Sequence, residues 1–300
     1  MTALLLALPG AEPMATELCG HLNSALLKWE FRRFPDGESY LRILGDCAGQ
    51  DVVLVAEMSQ PDEKFLPLVF AAQTVRDLGA KRVILVAPYL PYMRQDTRFR
   101  RGEGVTARYF ARLLSAVIDG LVTVDPHLHR IHDLAEVYTV PSNVVGSAPA
   151  VAEWIARHVV HPLIVGPDEE SEQWVGEIAS ALDAPYVIQR KRRLGDRALE
   201  IDLPDVSAWR DRTAVLVDDI ISTGTTLARS VERLRQQGLE DVMAVAVHAL
   251  FCGDALATLD RTGLSSLVTA NTVVHASNDI DLSRLIAEGV RELLSGLDNN

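Results

Sequence analysis

Short, nearly unbroken aliphatic runs recur along the chain, and each is followed by a stretch of helical periodicity. The runs lie at Ala3–Ala7, Val52–Ala56, Arg82–Ala87 and Val122–Val124, then at Leu163–Val165, Ala214–Val217, Met243–Val247 and Leu267–Thr269. Sequences such as VILVA and TAVLV lack the polar alternation of a half-exposed strand, so they predict strands buried on both faces. Helical patterns occupy Lys64–Leu78, Thr106–Ile118, Ser171–Leu182 and Thr225–Gln237. Repeated strand–helix alternation predicts the α/β class, with doubly wound parallel sheets covered by helices on both sides. Pro, Ser and Gly collect at Thr139–Ala150, which predicts a boundary between an N-terminal domain (1–145) and a C-terminal domain (146–300). The last amphipathic helix, Asp281–Leu294, can pack on either domain.

Composition narrows the function. The 300 residues are 48% hydrophobic and 23% charged, and no apolar stretch approaches the ~18 residues of a membrane span. The opening MTALLLALPG has no basic leader region and reads as a buried strand, not a signal peptide. Cys19, Cys47 and Cys252 are widely spaced and form no CxxC, which predicts reduced thiols in a cytoplasmic protein. A net charge of -12 argues against nucleic acid as the main ligand. Basic residues nevertheless cluster at Arg94, Arg98, Arg100 and Arg101, and again at Arg190–Arg193. Local clusters on an acidic chain suit a small polyanion, although a solvated basic face has the same appearance.

In doubly wound sheets, ligands bind beyond the carboxyl ends of the strands. The segments at those ends are rich in chemistry: PYLPYMRQD after the third aliphatic run, DPHLH after the fourth, GPDEES after the fifth and DDIISTGTT after the sixth. The segment VLVDDIISTGTTL is the most informative. A buried strand runs into Asp218 and Asp219, then into a turn at Ser222, Thr223 and Gly224, then into a helix beginning with Thr225 and Thr226. Amides and hydroxyls converging on a helix N-terminus make an anion site, and Gly224 permits close approach of the backbone. Carboxylates beside such a pocket suit sugar hydroxyls or Mg²⁺. An N-cap turn with incidental acids is the weaker reading, because adjacent carboxylates at the end of a buried strand are costly. His127, His129 and His132 raise the question of zinc, but their spacing supplies no fourth ligand.

VLVDDIISTGTTL resembles the phosphoribosyl-pyrophosphate loop shared by phosphoribosyltransferases and phosphoribosyl pyrophosphate synthetases. Four further segments separate the two. FPDGESYLRI resembles the synthetase element that reaches a neighbouring subunit's ATP site. PYLPYMRQDTRFRRGEGVTARYFARLL resembles the motif around its Arg-Gln-Asp triplet, VDPHLHRI its metal motif, and QRKRRLGD its Lys-x-Arg loop. They occur in the family's order from about Leu6 to Asn271, and the chain is identified as a member of the ribose-phosphate pyrophosphokinase family.

The resemblance implies two domains of the phosphoribosyltransferase type, ATP and ribose 5-phosphate as substrates, and Mg²⁺ as cofactor. It implies catalytic roles for Lys191 and Arg193, ATP contacts from Phe34, Asp36, Gly37, Glu38, Arg94 and Gln95, and a metal site at His127 and Asp168. Ribose 5-phosphate falls to Asp218, Asp219, Ser222, Thr223, Gly224, Thr225 and Thr226. A shared ATP site implies a homo-oligomer built from dimers, with a hexamer as the family guide. No nucleic acid or membrane partner is expected.

The loop reads Ser-Thr-Gly-Thr-Thr where the family usually has Asp-Thr-Gly-Gly-Thr, so Thr225 needs room for a Cβ. Glu169, Glu170 and Glu172 replace a glycine-rich basic segment, and Arg100 and Arg101 replace the usual residues after the triplet. These departures mark a divergent branch and bear on the sugar acceptor, leaving a related sugar phosphate as the alternative. Retention of Lys191, Arg193, His127, Asp168 and Asp218 argues against a non-catalytic regulatory homologue. The first-half motifs argue against a phosphoribosyltransferase.

Overall fold

Val52–Val55 and Val83–Val86 have no exposed surface. Strands enclosed on both faces must satisfy their backbone through neighbours in the sheet, and sheet formation results. The structure, a computed structural model, describes residues 3–194 and 198–299, with the backbone alone for 170, 191–194 and 198–202. Contacts divide the chain into two compact units. The first comprises Met1–Val145, Thr272–Val274 and Leu282–Asn300, and the second Gly146–Asn271 and His275–Asp281.

The first unit runs β1 (Leu4–Ala7), α1 (Glu12–Leu22), β2 (Ala25–Leu26), β3 (Trp29–Arg33), β4 (Ser39–Ile43), β5 (Asp51–Val55), α2 (Pro61–Asp77), β6 (Arg82–Val86), α3 (Thr106–Ser115), β7 (Gly120–Val124) and β8 (Ser142–Val145). Six strands form a parallel sheet in the order β2-β1-β5-β6-β7-β8. Helices α2 and α3 cover one face: Leu68, Ala72, Phe110 and Leu114 join Val52, Leu54, Val83 and Leu85 in one core. The C-terminal helix, Ser283–Asp298, packs on the other face. Gly120 admits it, because a Cβ there would lie 3.0 Å from Leu293 and 3.1 Å from Ile84. Strands β3 and β4 form a separate antiparallel hairpin.

The second unit runs α4 (Ala148–His158), β9 (Pro162–Gly166), α5 (Glu172–Leu182), β10 (Tyr186–Ile188), β11 (Arg190–Leu194), β12 (Ala198–Asp202), β13 (Thr213–Ile221), α6 (Thr225–Gln236), β14 (Val242–Ala249), α7 (Ala255–Asp260), β15 (Leu267–Ala270) and β16 (Asn278–Ile280). Its parallel sheet has the order β10-β9-β13-β14-β15-β16. The strand sequence is that of the first unit repeated. Leu227, Val231 and Leu234 of α6 pack with Leu163, Leu216 and Ala244. Strands β11 and β12 pair as an antiparallel ribbon outside the main sheet.

All eight expected aliphatic runs are strands. The β3–β4 hairpin and the β11–β12 ribbon escape a search for apolar runs: the hairpin is half-exposed, and RKRRL carries four charges in five residues. A four-charge cluster of Asp51, Arg82, Lys81 and Asp298, the last two 3.2 Å apart, fastens the C-terminal helix to the first sheet. Arg82 donates to both oxygens of Asp51 at 2.7 Å and lies 2.9 Å from Asp298. Arg82 and Asp51 are both nearly buried, with 12% and 10% of their side chains exposed. Bidentate bonding to Asp51 holds the guanidinium firmly protonated, above its ordinary range. Arg82→Ala should cost about 3 kcal/mol, because it strands a largely enclosed carboxylate. Asp298→Ala should cost under about 1 kcal/mol, because its carboxylate is the more exposed. Urea unfolding of the two variants checks the order; equal losses would contradict it.

Candidate active site

In the second unit the chain leaves β9 through α5 toward one sheet edge, and leaves β13 through α6 toward the other. The carboxyl ends of β9 and β13 therefore flank a topological switch point, where a crevice opens. Ala214–Val217 are buried, and Asp218 and Asp219 emerge partly exposed from the same strand. Asp219 donates its N–H to Asp218 Oδ1 at 3.0 Å. Burial pushes the Asp218 carboxyl well above its usual range, and the charges of Asp219 and Asp168 push it further. Asp168 stands at the end of β9 and accepts the Ser171 N–H at 3.2 Å. Two residues earlier Gly166 is obligatory, since a Cβ would fall 2.6 Å from Ser171 Oγ and 2.7 Å from Ile188.

The turn after β13 ends at Gly224, whose φ of 70° is left-handed. It is the N-cap of α6, and no side chain caps this end or places an acid in its first turn. The first-turn amides are thus presented to a ligand beside a positive helix end. Gly224 is held from behind: a Cβ would meet Leu259 at 3.1 Å and the Ala255 carbonyl at 3.3 Å. Thr223 and Thr225 are exposed, with hydroxyls 3.2 Å apart. The Cβ of Thr225 has its room because residue 225 is already helical; Gly224 alone carries the left-handed bend. Ser222 accepts the Cys252 N–H at 2.9 Å through its carbonyl. The strand, turn and helix thus bring Asp218, Asp219 and Ser222–Thr226 together, with the end of β9 adjoining them.

Lys191 and Arg193 lie on β11, opposite Ile201 and Leu199; their side chains lie outside the described residues. At the root of this ribbon, Arg190 pairs with Glu169 at 3.2 Å. Glu169, Glu172, Ile188, Arg190 and Pro204 enclose a cavity of about 330 Å³.

In the first unit, Phe34, Asp36, Gly37 and Glu38 form the β3–β4 turn. Phe34 N–H donates to Glu38 O at 2.8 Å, Gly37 adopts φ 94°, and Glu38 N–H donates to Asp36 Oδ1 at 3.1 Å. The Arg32 guanidinium lies 4.3 Å from the Phe34 ring and 4.4 Å from Tyr40, so one cation holds both aromatics. Arg94 is exposed, and Gln95 accepts from Thr106 Oγ1 at 3.1 Å. Asp96, to which the motif resemblance assigns no role, is the buried member of the triplet. Its two oxygens accept the Arg130 side chain and backbone N–H, both at 3.1 Å. That pair joins the loop after β6 to the loop after β7, where the His127 and His129 Nε2 atoms face one another at 2.5 Å. An aspartate directly after Arg-Gln is the signal that could have marked it. Among the described residues, no group of three or more His, Cys, Asp or Glu side chains is placed to hold a metal ion.

The first unit also has a switch point, between β1 and β5, where Leu8, Pro9, Ala56, Glu57, Lys64 and neighbours line a cavity of about 180 Å³. Its chemistry is opposite. Helix α2 begins at Pro61, which has no N–H, and carries Asp62 and Glu63 in its first turn. Glu57 is ion-paired with Lys64.

Residues 3–117 match the N-terminal domain of ribose phosphate pyrophosphokinase, and residues 145–265 match the phosphoribosyl transferase domain. A ribose-phosphate pyrophosphokinase of Methanobrevibacter smithii is 32% identical over 294 residues, covering 94% of this chain and 98% of that protein. One from Methanopyrus kandleri is 33% identical, covering 97% and 99%. The chain belongs to the ribose-phosphate pyrophosphokinase family. The crystal structure of phosphoribosylpyrophosphate synthetase from Mycobacterium smegmatis superposes with a TM-score of 0.85 at 23% identity, covering all of both chains, and shows the same fold. Members of the family are enzymes. Among the described residues, no helix is long and apolar enough to cross a membrane.

The crowded carboxylates have a cost in the ligand-free protein. The Asp218 pKa is higher folded than unfolded, so the folded state binds more protons, and stability falls as pH rises from the ordinary carboxylate range through the folded pKa. Asp218→Asn removes that penalty. The variant should melt above the parent near about pH 8, with the gap closing toward about pH 4. Thermal unfolding by circular dichroism reads the effect, and a variant no more stable than the parent at the higher pH contradicts it.

Proposed function

We propose that this protein is a ribose-phosphate diphosphokinase. It transfers the β,γ-pyrophosphoryl group of Mg·ATP to the C1 hydroxyl of ribose 5-phosphate, giving phosphoribosyl pyrophosphate and AMP. The observation that carries the reading is the pairing of an uncapped α6 N-terminus with Asp218 and Asp219 at one switch point, in a chain of this family.

Each role rests on the chemistry of the group that fills it. Amides and hydroxyls of Ser222–Thr226 hold the 5-phosphate, while Asp218 and Asp219 accept hydrogen bonds from the ribose hydroxyls. Arg94 and Gln95 address ATP, and the hairpin residues Phe34, Asp36, Gly37 and Glu38 reach the adenine of an adjoining subunit. Asp168 would hold Mg²⁺, since an oxygen-rich, carboxylate-crowded crevice fits a hard cation, and the motif resemblance assigns His127 to Mg²⁺ as well, in an indirect role. When bound, Mg²⁺ neutralises charge on the triphosphate. The sugar oxygen O1 attacks the β-phosphorus. The bond from that phosphorus to the oxygen bridging to the α-phosphorus breaks, its electron pair leaves with AMP, and the O1 proton passes to solvent. Lys191 and Arg193 meet the charge that develops on the transferred group and the leaving oxygen, so the rate rests on positioning and electrostatics. A cytoplasmic homo-oligomer built from dimers completes the reading.

³¹P NMR of the protein with ATP, Mg²⁺ and ribose 5-phosphate should show AMP and a pyrophosphorylated sugar, neither forming without Mg²⁺. ADP as product would replace this reading with ordinary phosphoryl transfer. Lys191→Ala should lower kcat by on the order of 10³ with little change in ribose 5-phosphate affinity; near-normal turnover would remove the lysine from the mechanism. Mixing inactive Lys191→Ala subunits with inactive Phe34→Ala subunits should restore part of the activity if the ATP site is shared. No recovery in mixed oligomers would mean that each subunit is complete.

A further inference from the structure

A single residue, Gln189, separates the edge strand β10 from the ribbon strand β11. It is the root from which the Lys191–Arg193 segment departs. Polar residues at such exits ordinarily face solvent, yet Gln189 is wholly buried. Its N–H donates to the Gly166 carbonyl at 3.0 Å, two residues before Asp168. Its amide lies 2.6 Å from Ser230 Oγ, itself fully buried, and Ser230 Oγ donates to the Thr226 carbonyl at 3.0 Å. Thr226 belongs to the phosphate loop.

Ser230 has one hydroxyl proton. With Gln189 Oε1 facing it, that proton is contested by two acceptors, and Gln189 Nε2 is buried without a partner. Turning the amide over ends that contest: Nε2 donates to Ser230 Oγ, which donates to Thr226 O, and Oε1 takes the position without a partner. A directional chain then runs from the ribbon's root to the phosphate loop. The ribbon's other root is tied to the same helix. Gln237, at the C-terminal end of α6, accepts the Val206 N–H at 2.9 Å and donates to the carbonyls of Leu203 and Pro204 at 3.3 and 3.2 Å. Helix α6 thus presents its amide end to the phosphate and holds both ends of the ribbon.

We propose that Gln189 is a positioning residue that, through Ser230, fixes the Lys191–Arg193 ribbon relative to the ribose 5-phosphate loop. The proposal rests on the ribose-phosphate diphosphokinase reading, because it assigns a distance that matters only if both groups serve one transfer. Packing alone would be met as well by an apolar side chain. The buried amide contributes a direction, and a misplaced cation is costly in a transition state that depends on alignment.

Gln189→Met keeps the volume and removes the amide; Ser230→Ala breaks the chain at its next link and is the milder change. In folded protein, confirmed by its melting transition and normalised to titrated sites, each variant should lose at least about tenfold in kcat. Ribose 5-phosphate affinity by calorimetry should stay within about threefold of the parent, since the loop itself is intact. AMP should form in excess of phosphoribosyl pyrophosphate, because a loosened ribbon permits cleavage without transfer to the sugar. The double variant should lose no more than the worse single one, as links of one chain do. Parent-like kcat with one AMP per product would overturn the proposal, as would losses that multiply. If Gln189→Met fails to fold, Ser230→Ala carries the same test. A parent protein that makes no phosphoribosyl pyrophosphate overturns the functional reading and this inference together; an active parent with unaffected variants overturns this inference alone.

Discussion

Crowding of carboxylates at the open end of β13 is the constraint on which the second unit is arranged. Val217 ends the strand's unbroken buried run, the next two positions are aspartates, and the charge of Asp168 acts on the first of them, Asp218. Such a group is tolerable only beside compensating positive potential. The fold supplies it from α6, which starts after a three-residue turn with no side-chain cap and no acid in its first turn.

The two sheets share one strand order, but their switch points differ in sign. In the second unit the helix after β13 opens with free amides and threonines. In the first, the helix after β5 opens with a proline and two acids, and an ion pair occupies the crevice. Topology opens a crevice in both places; local sequence leaves the helix start free of acids in only one. The first unit's distinctive chemistry instead sits in the loops after β6 and β7, joined through Asp96 and Arg130, and in the hairpin turn where Arg32 holds Phe34 and Tyr40.

Much of this architecture is legible in the sequence. The eight central strands can be read because burial on both faces forces unbroken aliphatic runs. The β13–turn–α6 unit can be read because an aliphatic strand, a Ser/Thr/Gly turn and a helix start each have a local signature. The ribbon and the hairpin are not legible as strands, since neither is enclosed and their residues answer to charge and contact more than to burial. Asp96 escapes for a related reason: its importance lies in a partner 34 residues away in sequence.

Neighbouring residues alone were enough to set the class of fold, the strand–turn–helix unit at Asp218–Thr226 and the family motifs, because each is a local property: periodicity, turn chemistry, an uncapped helix start. Three further facts came from packing. The C-terminal helix joins the first unit through Arg82, Asp218 is raised by burial and then by the charges of Asp219 and Asp168, and Gln189 and Gln237 tie both roots of the ribbon to α6. Those facts depend on distances between residues remote along the chain. No local pattern encodes such distances; assembly around a common core sets them.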